Sequence, residues 1–99
     1  MKNEKAIQKI KLTKFLNSHM TQEKKVMNQK GICDTVFHMA KGSYDAYEKV
    51  FNMRKMDFLE LYSAVIKSQK EISNFMMFDS YWDGFRVGLN NVINYMQTI

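Results

Sequence analysis

The chain has 99 residues, 45% of them apolar and 13% aromatic, and carries a formal net charge of +5. It contains no proline and four glycines, too few turn residues for an all-β fold, which turns about every 8 to 12 residues. Its single cysteine, Cys33, excludes an internal disulfide and fits a reducing cytoplasm rather than a stapled secreted scaffold.

A chain of this length makes one small domain, expected to be all-α over residues 1–99. The charge is unevenly placed. Residues 1–30 hold eight lysines against Glu4 and Glu23, and the remainder is close to neutral.

Residues 1–20 read as a basic N-terminal helix or arm. The lysines at 2, 5, 9, 11 and 14 leave no apolar run between them, so no signal peptide is expected. Ile7, Ile10, Leu12, Phe15 and Leu16 do not fall on one tight stripe, which fits a peripheral helix or an arm that orders on binding. "NSHMT" at 17–21 reads as a break, with Thr21 as the N-cap of a second helix over 22–41. Gly31 stands at the middle of that helix as a dividing point. "KGS" at 41–43 closes it, with Gly42 just past the end and Ser43 capping the third helix.

Tyr44, Tyr47, Phe51, Arg54, Phe58, Leu61, Val65, Ser68, Ile72 and Phe75 follow alternating steps of three and four. That is a heptad seam, and it predicts one long helix near 44–72, with Arg54 and Ser68 as polar interruptions. Such a helix would span about 45 Å, longer than a compact domain of this size, so either it breaks near Ser73 or part of its seam is covered by another chain. "FMMF", Phe75, Met76, Met77 and Phe78, is the longest apolar run and is far too short to cross a bilayer. It turns the corner and is the candidate partner-binding surface.

The last helix, near 81–97, takes Asp79 or Ser80 as its cap and carries the stripe Trp82, Phe85, Leu89, Val92, Met96 and Ile99. Gly84 and Gly88 flank that stripe one turn apart. Each costs a helix interior roughly 1 kcal/mol relative to alanine, a loss that makes sense where another helix backbone must come close. The expected partner is the long third helix or the same helix of a second subunit. Trp82, Gly84, Phe85 and Gly88 would set the crossing. The fold expected is therefore a bundle of about four helices, with the long helix packed on the C-terminal one, and a homodimer.

No constellation points to catalysis, a cofactor or a metal. Asp34 and His38 share a helix face, but Cys33 and His38 do not, and no C-x-x-C, H-x-x-x-H or E-x-x-H pair occurs. The carboxylate pair Asp79/Asp83 is explained by capping, and "GFRVG" matches neither phosphate-loop nor dinucleotide patterns. The leading reading is a non-enzymatic, cytoplasmic interaction protein that binds a protein partner and regulates or inhibits it. Its small size and Lys/Asn/Ile/Met-rich composition are in the style of phage and mobile-element regulators. The alternative is a DNA-binding regulator. Residues 22–41 have the helix–glycine–helix layout of a helix-turn-helix, although Met27, Lys30 and Phe37 stand where that motif takes a small, an apolar and a branched residue. Lys5, Lys9, Lys11, Lys14, Lys24, Lys25 and Lys30 are the candidate nucleic-acid contacts. A membrane-surface role is not expected, because the N-terminal apolar residues are scattered around the helix.

Overall fold

The computed structural model describes residues 2–74 and 79–99. Within them the chain forms four helices, α1 (Lys2–Met27), α2 (Asp34–Asn52), α3 (Phe58–Ser73) and α4 (Ser80–Thr98), and no strand. Phe75, Met76, Met77 and Phe78 lie outside the described residues.

α1 runs straight through the expected break at 17–21. Ser18, His19 and Thr21 are modest helix formers, each costing less than about 0.7 kcal/mol, and tertiary contacts outweigh that loss. Leu12 and Leu16 are fully buried, and the His19 ring lies 5.1 Å from that of Tyr47 on α2. The break falls at residues 28–33 instead, where Gly31 takes φ +75°, a conformation that glycine adopts without strain. A second helix over 22–41 therefore does not form; its first residues finish α1 and its last ones begin α2.

α2 in turn passes through Gly42 and Ser43, so neither ends or caps a helix. The reason is packing against α4. A methyl group on Gly42 would collide with the Tyr81 carbonyl oxygen and sit 2.8 Å from the Phe85 nitrogen. One on Gly84 would collide with the Met39 carbonyl oxygen, and one on Gly88 would meet the Ala46 Cβ at 2.8 Å. Met39 with Gly84, Ala46 with Gly88 and Tyr47 with Asn91 ascend together, so α2 and α4 run the same way. Their backbones touch.

The long helix expected near 44–72 is also two helices. The chain leaves the helical path at residues 53–57 and re-enters at Phe58, with Asp57 extended before the first turn. A straight continuation would carry the second half of the seam beyond the reach of α4. Folding back brings α3 antiparallel to α4, where Tyr62 meets Gln97 and Gln69 meets Asn90, and buries Leu61, Val65 and Ile72. The interruption is short enough that the three-and-four spacing survives across it. Ser68 stays on the buried face, while Arg54 falls in the turn.

α1 closes the bundle against α2, antiparallel to it: Lys24 lies by Tyr44 and Phe15 by Tyr47. The lateral order is α1–α2–α4–α3. The core is one cluster in which Leu12, Leu16, Tyr47, Val50, Leu61, Val65, Leu89 and Val92 are essentially inaccessible. α4 starts on Asp79, whose side chain accepts from the Trp82 N–H at 3.1 Å. Asp83 does not complete a capping box; it pairs with Arg86 at 2.9 Å. No helix among the described residues is long and apolar enough to cross a membrane.

Candidate functional site

Folding the chain back at 53–57 places Arg54 and Lys55 beside the first half of α1. Lys9, Ile10, Thr13 and Lys14 face them across an open groove of about 640 Å³. On α1, Lys9 with Thr13 and Ile10 with Lys14 are four-residue neighbours, so two rows of one helix form one wall. The Thr13 hydroxyl donates to the Lys9 carbonyl at 2.9 Å, and the Lys9 ammonium donates to the Lys55 carbonyl at 3.4 Å. Arg54 is held more firmly. Its Nη1 donates to the Phe51 carbonyl at 3.0 Å, and its guanidinium carbon sits 4.0 Å from the centre of the Phe51 ring. Ile10 is 54% exposed and supplies an apolar surface between the charges.

The charge of this groove is not neutralised from within the described fold. Among the described residues the ion pairs are Lys41–Asp45 and Arg86–Asp83, and none involves Lys9, Lys14, Arg54 or Lys55. Four like charges brought around one concavity repel each other, and an anion relieves that repulsion.

A second depression, of about 350 Å³, lies on the other flank of α1, lined by Phe15, His19, Asn91, Asn94, Tyr95 and Thr98. Phe15 and Tyr95 are stacked with centroids 4.2 Å apart and planes 12° apart. The Tyr47 hydroxyl beneath accepts from Asn91 Nδ2 at 2.9 Å. Burial pushes the His19 imidazole below its usual range and the Glu23 carboxyl above its own, so both resist charging. Here the rings satisfy one another.

The candidate contacts separate accordingly. Lys9 and Lys14 come together in the basic groove. Lys11 lines a different cleft with Ile7, Gln8 and Ile99, Lys24 lies 5.5 Å from the centre of the Tyr44 ring, and Lys25 and Lys30 are exposed at the far end of α1 and in the following turn. The Lys5 side chain is outside the described set. Gly84, Phe85 and Gly88 are buried, the two glycines against α2, and Trp82 is half-buried with its ring 5.4 Å from that of Phe85. Cys33 is exposed, and among the described residues no three of His, Cys, Asp and Glu converge in a way that would hold a metal.

Arg54, Lys55 and Gly42 stand outside the contact and crossing residues expected from the sequence. The signal for the first two lay in "NMRKMD": a charged pair interrupting an apolar seam, flanked by Asn52 and Asp57, both prone to end helices. Gly42 is a helix stop by local rules, and nothing local distinguishes a stop from a crossing.

Comparison with protein-family models finds no match, and no curated protein or solved structure shows significant similarity to the chain.

Proposed function

We propose that this protein is a non-enzymatic binding module whose partner is a nucleic acid, held by its phosphates in the groove between α1 and the 53–57 turn. The observation that carries this reading is the grouping of Lys9, Lys14, Arg54 and Lys55 around one concavity with no carboxylate among its described lining residues. Composition alone favours a protein partner; the grouping favours a polyanion. The helix-turn-helix version of the reading has less support, because α1 and α2 lie side by side, joined by six residues at 28–33, rather than crossing over a tight turn of about three or four.

Phosphate binding by four cations has a measurable signature. Each phosphate neutralised releases condensed counterions, so affinity falls steeply with salt. In fluorescence anisotropy with labelled mixed-sequence DNA, four contacts predict a loss of about fiftyfold for a single strand between about 50 and 200 mM salt. The loss for a duplex is about three times larger again. No binding at about 50 mM salt, or binding indifferent to salt, overturns the reading.

A protein partner is the second reading, favoured by the exposure of Val36, Phe37 and Met39 on the first turns of α2. Apolar residues grouped at a surface are what protein interfaces use. Self-association through that helix end is part of the same reading, and sedimentation velocity across a wide concentration range tests it.

A further inference from the structure

The basic groove contains two features that a rail of phosphates does not require. One is the apolar side chain of Ile10, 54% exposed among the cations. The other is the anchoring of Arg54. The guanidinium carbon lies 4.0 Å from the centre of the Phe51 ring, and Nη1 donates to the Phe51 carbonyl at 3.0 Å, so two contacts hold the group in place. Arg54 is exposed and lines the groove, so its guanidinium is accessible to whatever occupies it.

We infer, building on the phosphate-binding reading above, that the groove takes single-stranded nucleic acid and that one unpaired base stacks on the guanidinium of Arg54, with Ile10 against its edge. A guanidinium is planar and weakly hydrated, and stacks on π-systems from either side. Held by Phe51, Arg54 is a preformed platform: little side-chain entropy remains to be lost when a base lands on it. Lys9, Lys14 and Lys55 then hold the flanking phosphates. A duplex offers the groove phosphates, sugars and base edges but buries its base faces, which leaves the Arg54 plane without a partner. A single strand presents both kinds of surface at once.

The inference is separable from the reading it rests on by using oligonucleotides with and without bases. Anisotropy titrations at about 50 mM salt would compare a labelled single strand of about ten nucleotides with an abasic strand of the same length and charge. Each would be run against the wild-type protein and Arg54→Lys, which keeps the charge and removes the plane. The wild type should bind the base-bearing strand about tenfold more tightly than the abasic one, and Arg54→Lys should bring that ratio close to one. Equal binding of the two strands by the wild type overturns base stacking and leaves phosphate binding standing. A preference of that size that survives in Arg54→Lys also overturns it, because the base then stacks elsewhere. Failure of both strands to bind overturns the phosphate reading together with the inference.

Discussion

The Ser43 hydroxyl, midway along α2, donates a hydrogen bond of 2.8 Å to the main-chain carbonyl of Gly84 near the start of α4, where the two helices touch backbone to backbone. Such an approach is available because Gly42 and Gly84 each leave room for a backbone atom of the other helix. The contact joins α2 and α4 directly, and α1 and α3 then pack on either side. The basic groove lies on the other side of α2 from this contact, between α1 and the turn that follows α2.

Substitution at this crossing should separate the three glycines. Gly84→Ala forces a methyl group into the Met39 backbone, which has no rotamer to move, and should destabilise by about 3 kcal/mol despite the better helix propensity of alanine. Gly42→Ala should behave alike, against the Tyr81 carbonyl. Gly88→Ala meets the equally fixed Ala46 Cβ at 2.8 Å, a shallower overlap than at Gly84, and should lose less. Urea unfolding midpoints with an unchanged slope would measure this order; equal effects at all three positions would refute the backbone contact at Gly84.

Removing the hydrogen bond is a gentler test of the same place. Ser43→Ala should lose about 1 kcal/mol, the net value of one buried hydrogen bond. A loss additive with that of a distant substitution such as Leu61→Ala is expected.

The register of α3 can be checked by two leucines. Leu61 is fully buried and Leu59 is 70% exposed. Leu61→Ala should lose about 3 kcal/mol, whereas Leu59→Ala should stay within about 0.5 kcal/mol of the wild type. Comparable losses would mean that the fold-back at 53–57 places a different face of α3 on the core.

Tyr81 provides a pH signature. Its hydroxyl donates to Asp45 Oδ2 at 2.6 Å, linking the start of α4 to α2. Burial, and then the Asp45 hydrogen bond and charge, push the phenol up to about 12 from its usual 10. The folded state holds this proton more tightly than the unfolded chain. The stabilisation is therefore complete below pH 10 and is lost as pH rises from 10 through about 12. Tyr81→Phe should flatten stability against pH in that window, and a phenolate absorbance titration of the wild type should show one more late-titrating tyrosine than the variant, which keeps Tyr47, itself raised by burial.

Periodicity made the all-α class and the apolar stripe of α4 legible, because each is a repeat that one face of a helix must bury. The helix ends were less legible, and at two of the misplaced boundaries a non-local contact outweighed a local signal. "NSHMT" looks like a break until Tyr47, far along the chain, packs against His19. Gly42 looks like a stop until Tyr81 arrives beside it. The groove was half legible for the same reason. Lys9 and Lys14 share a lysine-rich segment that anyone would mark, but Arg54 and Lys55 join them through a turn whose position is set by what α3 can bury against α4.

The most direct test of the phosphate-binding groove compares two triple variants that remove the same charge from different places. One is Lys9→Gln, Lys14→Gln and Lys55→Gln; the other is Lys25→Gln, Lys30→Gln and Lys70→Gln, all exposed and outside the groove. In salt-dependent anisotropy with labelled single-stranded DNA, the groove variant should lose about two units of the log–log salt slope and most of its affinity at about 50 mM salt. The second variant should keep the wild-type slope. Equal losses in both would show that net charge, and not the groove, attracts the nucleic acid, and would contradict the account.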